Sequence, residues 1–241
     1  MSESKTNPSA KSMIAATKSR AEFSGHGNAK GAAGHNVEYV MRDECDHLMK
    51  SGEMMSVNPP EGGFKDIKVG AAWDPIINKR SGLLGKLGIK KKIDVDIDLG
   101  CLYELEDGTR GALQAFGDLH GAYKKPPYIK LSKDERTGDT EGYDEYITIN
   151  GRHWEEIKRV YFYVYIYDGI ALWAEAKPEI HIMIPDKSPL IVSLTSKYDE
   201  LDLCLVGGIE RVRKGIRVIN FTEYFPGHNE MDRAHGFGLS W

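Results

Sequence analysis

The sequence predicts an all-β fold, a β-sandwich with long acidic loops, preceded by a flexible N-terminal tail and one short helix. Three observations carry this expectation. Short apolar stretches recur from about residue 64 onward, divided by the turn pairs Asp186-Lys187, Lys214-Gly215 and Pro226-Gly227. Two stretches alternate with period two: Val95, Ile97 and Leu99 against Asp94, Asp96 and Asp98, and Val160, Phe162, Val164 and Ile166 against Tyr161, Tyr163, Tyr165 and Tyr167. Helical spacing of apolar residues is scarce after residue 60.

The bulk numbers narrow the function classes. The 241 residues carry a formal charge of −4, with 28% charged and 41% hydrophobic residues, the profile of an ordinary globular chain. A general nucleic-acid binder would show a basic excess, so no specific nucleic-acid partner is expected. Cys45, Cys101 and Cys204 are odd in number and scattered, with neither a disulfide framework nor zinc spacing. A reducing, cytoplasmic setting is expected. No apolar run approaches the roughly 20 residues of a membrane span, and the N-terminus lacks the apolar centre of a signal peptide.

In chain order, residues 1 to about 35 are rich in Ser, Ala, Lys, Gly and Asn and almost empty of large apolar residues. Such a stretch cannot offset its ordering entropy and reads as a tail. Val37, Val40, Met41 and Leu48 fall at helical spacing, predicting a short helix near 36–50. Asn58-Pro59-Pro60-Glu61-Gly62-Gly63 reads as a linker, so the domain boundary is set at residues 63 and 64.

Lys68 to Asp74 is a predicted strand. The loop from Lys79 to Lys92 holds Lys79, Arg80, Lys86, Lys90, Lys91 and Lys92 and no acid, with Leu83, Leu84, Leu87 and Ile89 among them. It reads as a solvated loop, or as a tip for docking on an anionic surface. Ile93 to Leu105 is the clearest strand, and alternation puts Asp94, Asp96 and Asp98 on one face, about 6.6 Å apart per two-residue step. Like charges in such a row oppose one another unless a cation or the nearby lysines balance them. Glu106-Asp107-Gly108 turns the chain into a returning strand, Thr109 to Phe116.

The segment from Asp134 to Glu145 crowds Asp134, Glu135, Asp139, Glu141, Asp144 and Glu145 around a single base, Arg136, with Gly138 and Gly142 as turning points. It suits Ca²⁺, a hard ion that takes six to eight oxygens from flexible loops, or it is a solvated loop. Asp144 to Asn150 and Ile157 to Tyr167 follow as strands; the tyrosine row of the latter reads as packing against a cover. Further strands are predicted at Glu179–Ile184, Leu190–Leu194, Asp202–Val212, Ile216–Tyr224 and Gly236–Trp241. His228, Glu230, Asp232, Arg233 and His235 form a polar, glycine-flanked motif, read as a turn capping the last strand or as a second site.

Several of these stretches together resemble the tellurium-resistance TerD family. Val69-Gly-Ala-Ala-Trp-Asp74 is similar to its Val-Gly-Leu-Gly-Trp-Asp opening, Asp96-Ile-Asp98 to its Asp-Leu-Asp strand, and Asp134 to Glu145 to its acidic loop. Leu113-Gln-Ala-Phe-Gly117, Pro126-Pro-Tyr-Ile129 and Tyr224 to Trp241 look most like the TerA branch. The resemblance covers roughly residues 66 to 241. It implies a non-enzymatic calcium-binding β-sandwich of bacterial stress-response operons, cytoplasmic, with partners among other stress-operon proteins at the inner membrane surface. The calcium ligands it implies fall on Asp96, Asp98, Asp134, Asp139, Glu141, Asp144 and Glu145. The chain departs from the family at Tyr143, where an aspartate is usual, at Lys133, in place of a glycine, and at Glu135, in place of an asparagine. Asp94 extends the same strand face as Asp96 and is the nearest compensating carboxylate.

Two alternatives belong to other classes. A metal-dependent hydrolase would draw on His120, His153, His181, His228 and His235, but no His-x-x-x-His spacing joins them and no Gly-x-Ser-x-Gly is present. A calcium-dependent binder of glycan or lipid surfaces rests on fold analogy.

Overall fold

The structure is a computed structural model that describes residues 39–42, 46–73, 76–79, 90–93, 96–115, 117, 119–132, 145–168, 173–194 and 201–241. In chain order the strands are β1 (Val40–Met41), β2 (Glu53–Val57), β3 (Ile67–Ala72), β4 (Ile76–Lys79), β5 (Lys90–Ile93), β6 (Asp96–Leu105), β7 (Arg110–Leu113), β8 (Gly121–Ala122), β9 (Ile129–Leu131) and β10 (Glu145–Ile149). After them come β11 (Ile157–Asp168), β12 (Glu179–Met183), β13 (Leu190–Ser193), β14 (Leu203–Val212) and β15 (Gly215–Phe225). Among the described residues there are two α-helices, α1 (Trp173–Ala176) and α2 (His228–His235), and a 3-10 helix at Gly151–Glu156.

The strands make a seven-stranded sheet, β1-β2-β15-β14-β11-β6-β7, a six-stranded sheet, β13-β12-β3-β10-β9-β8, and a separate ribbon, β4-β5. β1 and β2 run parallel, as does the isolated His47–Ile191 bridge; the other strand-to-strand pairings among described residues are antiparallel. The two large sheets enclose one core. Ile97, Leu99 and Cys101 of β6, with Val160, Phe162, Val164 and Ile166 of β11, meet Val69 and Ala71 of β3 and Ile147 and Ile149 of β10 there. The period-two reading of both strands holds because each has one face in this core.

A second cluster lies around α2. Tyr161, Tyr163, Leu203, Leu205, Phe221 and Phe225 pack with Met231 and Phe237. Tyr161 and Tyr163, with Tyr165 partly buried beside them, are therefore packing under a cover, as the sequence implied, while Tyr167 at the end of the row is 49% exposed. Buried phenols need partners, and they have them: Tyr161 donates to Glu210 Oε1 at 2.5 Å and Tyr163 to Gln114 Oε1 at 3.1 Å.

Three expectations are corrected. No helix occurs among the described residues of 36–50: Val40–Met41 is a strand, and His47 forms a bridge with Ile191 at the edge of the six-stranded sheet. Glu53–Val57, placed before the domain boundary, pairs with β15 and brings Met55 and Val57 into the core. Residues 46–57 thus link the open edges of both sheets, and pairing to those edges outweighs weak local helical spacing. Finally, 236–241 is not a strand. Its residues follow α2 as irregular chain, because the Asp232 carboxylate accepts from Gly238 N at 2.6 Å, Leu239 N at 2.8 Å and the Trp241 indole at 3.0 Å. Those donors therefore need no neighbouring strand.

Candidate functional site

The acidic face begins where β6 begins. Ile97 and Leu99 turn inward and are fully buried, while Asp96 and Asp98 alternate outward and are half-buried. Register with β11 sets Asp98 opposite Tyr165 and Asp96 opposite Asp168. Asp168 is an acid that sequence reasoning missed. Plain alternation groups it with Val160 to Ile166, but the pairing shifts between Ile166 and Asp168.

The second acidic element arrives from the other sheet. Glu145 is the first residue of β10, opposite Ala71 of β3, and only 1% exposed. Alternation with the core residues Ile147 and Ile149 turns it inward. Its Oε2 accepts the Leu99 N–H at 2.5 Å, one residue beyond Asp98. Charge-assisted hydrogen bonds of this kind are short and strong. Asp96 Oδ1 and Glu145 Oε1 are both shielded from solvent.

The two elements share one electrostatic environment. Burial pushes the Tyr163 phenol well above its ordinary range, and the fields of Cys101, Asp98 and Glu145 add to the effect. Burial also raises Tyr165, with Asp202 and Asp98 contributing. Asp202 is a second acid that the sequence did not single out; its carbonyl accepts from Ile166 N. Of the seven ligands implied by resemblance, the structure brings Asp96, Asp98 and Glu145 to one end of β6. Asp134, Asp139, Glu141 and Asp144 lie outside the described residues, as do Asp94, Lys133, Glu135 and Tyr143. Among the described residues, no group of three or more His, Cys, Asp or Glu is arranged to hold a metal. The acids at this end of β6 are carboxylates, whose oxygens suit hard divalent cations rather than zinc or copper.

Of the five candidate histidines, His228 and His235 stand at the two ends of α2, and the other three lie on separate parts of the chain. His153 stacks on Tyr128 at 4.0 Å and meets Glu156 Oε1 at 2.6 Å; His181 meets Glu179 at 3.2 Å. His120 lies beside β8. His228 stacks on Trp241 with centroids 4.7 Å apart and meets Tyr163 and Tyr165 at 5.2 and 5.1 Å. Burial lowers its pKa to about 4. His235 Nε2 lies 3.1 Å from Glu223 Oε2, both side chains being buried.

The C-terminal motif is clasped to the sheet by a buried charge cluster. Glu104, 2% exposed, receives Arg159 Nε at 2.8 Å, Lys158 Nζ at 2.9 Å and Arg110 Nη2 at 3.1 Å. Burial by itself raises the Glu104 pKa, but Lys158, Arg159 and Arg110 outweigh it and the net shift is downward. The same arginines reach the chain after α2. Arg159 donates to the carbonyls of His235 at 2.9 Å and Gly236 at 3.3 Å, Arg110 to that of Phe237 at 3.1 Å. Arg159 also lies 4.0 Å over the Phe237 ring. The polar motif is thus a helix with a tied turn, and its charged partners are distant in sequence.

No family model matches the chain. It is 34% identical over 182 residues to the tellurium resistance protein TerA of an Alcaligenes species, a match covering 75% of this chain and 52% of that protein. The chain therefore spans about half the length of this curated relative. A solved homologue of the telluride resistance protein TerD from Streptomyces coelicolor A3(2) superposes with a TM-score of 0.50 at 17% identity, covering 74% of this chain and 100% of that one. A solved protein of unknown function superposes with a TM-score of 0.50 at 16% identity, covering 74% and 99%. At such identity these two structures bear on the fold alone.

Proposed function

We propose that this chain, 34% identical over 182 residues to a tellurium resistance protein TerA, is a member of the tellurium-resistance TerD/TerA family and a non-enzymatic calcium-binding scaffold of the bacterial stress response. The observation that carries the reading is the Glu145–Leu99 hydrogen bond, which joins the end of the acidic segment to the strand bearing Asp96 and Asp98. Carboxylates drawn from separate strands disfavour joint ionisation unless a counter-charge lies between them. Calcium supplies that counter-charge. Asp96, Asp98 and Glu145 would hold it from the sheets, with Asp134, Asp139, Glu141 and Asp144 as the further oxygens.

Histidines that share no metal-ligand spacing, and the absence of a nucleophile motif in the sequence, support binding over catalysis. No helix among the described residues is long and apolar enough to cross a membrane. The reading places it in the cytoplasm, with stress-operon partners met at the inner membrane surface. The ribbon β4-β5, where Lys79 lies opposite Lys90, is the element suited to an anionic surface.

An ion that binds only the folded chain stabilises it by mass action, about 2.7 kcal/mol at one hundred times its Kd. For a domain of this size that raises the melting temperature by roughly 5–10 °C. Melting and titration calorimetry on the chelator-stripped chain test the reading. Calcium should raise Tm in the wild type and lose its effect in the double variant Asp96→Asn, Asp98→Asn. An unchanged Tm at millimolar calcium overturns the proposal, and full binding by the double variant removes the site assignment.

A further inference from the structure

We propose that the open edge at β1 is a self-association surface, at which two copies of this chain pair β1 with β1 about a twofold axis. The proposal goes beyond the calcium reading and does not rest on it. β1 ends the order of the seven-stranded sheet. Val40 N donates to Gly52 O at 2.8 Å and Arg42 N to Met54 O at 2.7 Å, so these two residues turn their backbone toward β2. Alternation turns the N–H and C=O of Tyr39 and Met41 away from β2, to a side on which no described strand lies in the sheet. An exposed row of backbone donors and acceptors is a template for another strand. The other sheet edges are blunted. The His47–Ile191 bridge meets β13, the Gln114–Leu119 bridge follows β7, and β8 runs into Lys124, Lys125, Pro126 and Pro127. β1 carries apolar residues instead: Tyr39, Val40 and Met41 are 40, 43 and 54% exposed.

A second copy fits this edge because the sequence around β1 is complementary to itself. Antiparallel pairing centred on Val40 sets Val40 against the partner's Val40 on the axis. It sets Tyr39 against the partner's Met41, an aromatic–thioether contact made twice. The residue before Tyr39 is Glu38, so the same register sets each Arg42 against an acid of the other copy. Centring the pair on Tyr39 or on Met41 loses this match, because Val40 then faces Glu38 or Arg42. Twofold pairing of this kind is isologous, so the assembly closes at two copies. Residues 1 to about 35 are a poor cover for the same edge, being almost empty of large apolar residues. β1 has two residues, so the contact falls below the roughly 1,200 Å² of stable interfaces and association is weak.

Sedimentation velocity on the full chain, in chelator, reads this directly and leaves the calcium reading untouched. The chain should move from monomer toward dimer between about 10 and 500 μM; a monomer throughout that range overturns the proposal. Val40→Lys, at an exposed position, should leave the melting temperature unchanged. It sets two ammonium groups face to face on the axis and should weaken association about fivefold or more; association equal to wild type overturns the interface. Tyr167→Lys makes the same change at an exposed residue of β11 and should alter association by less than about twofold. A loss there equal to that of Val40→Lys also overturns the interface. Val40→Cys tests the register, because the introduced thiols meet at a Cα separation of about 4.5 Å, within disulfide reach. Mild oxidation should link two copies, and peptide mapping should place the link at position 40 of each. Absence of that link overturns the pairing.

Discussion

Glu145 reaches across the sandwich to hold the backbone of Leu99, its Oε2 2.5 Å from the Leu99 nitrogen. The contact joins the first residue of a strand in the six-stranded sheet to β6, the strand next to the β7 edge of the seven-stranded sheet. It fixes the distance between the two acidic elements before any ion is considered.

Removing that acceptor should be costly. Glu145→Ala strands a buried N–H, at about 1–3 kcal/mol. Glu145→Gln keeps an acceptor of the same shape and should cost less in chelator, yet it removes a charge and should weaken calcium binding. Urea denaturation with and without calcium separates the two effects. Equal losses for Ala and Gln in chelator would show that the hydrogen bond contributes nothing.

Asp232 should be the principal polar anchor of the C-terminal turn. A carboxylate in the second half of a helix opposes the macrodipole, so its presence there points to its three acceptor contacts with Gly238, Leu239 and Trp241. Asp232→Ala should destabilise the chain by about 2–4 kcal/mol and open 236–241 to proteolysis. Protease resistance equal to wild type would remove this role.

His228 should make stability depend on pH. Its folded pKa, about 4, lies below the ordinary histidine value because burial disfavours the imidazolium. Between these values the unfolded chain binds a proton that the folded chain does not. The contribution is therefore complete above about pH 6.5 and is lost as pH falls toward 4, on the order of 3 kcal/mol in all. His228→Phe keeps a ring against Trp241 and should flatten this part of the pH–stability curve. The same slope in wild type and variant would refute the assignment.

Glu104 works in the opposite chemical sense with the same pH direction. Its net pKa is lowered by Lys158, Arg159 and Arg110 against the upward pull of burial. Its contribution is present above the usual carboxylate range and is lost as pH falls through the lowered value. Glu104→Gln leaves two partly buried guanidinium groups without their counter-ion and should cost about 3 kcal/mol. Thermal melting at neutral pH checks this; a loss below about 1 kcal/mol would mean that the arginines find other partners.

Legibility followed the range of the determining forces. β6 and β11 are readable because each alternates residue by residue against a core, and Asp96 and Asp98 are visible as the outward half of that alternation. Glu145 is visible as an acid at the head of a strand, but not as the partner of Leu99, 46 residues away. The helix expected near 36–50 failed because a sheet edge was waiting for those residues. The strand expected at 236–241 failed because Asp232 meets the needs of that backbone from inside the preceding helix. The cluster at Glu104 was invisible because its cations come from two other places in the chain, Arg110 and the pair Lys158-Arg159.

By itself the sequence determined the two-faced strands, the placement of acids on one face of β6, and the kinship of the chain, since these depend on neighbours along the polymer. Only the tertiary structure decided that Glu145 would close on β6, that Asp168 would fall opposite Asp96, and that the last helix would cover the tyrosines. Those outcomes depend on register and on contacts between distant strands, where a shift of one residue exchanges inside for outside.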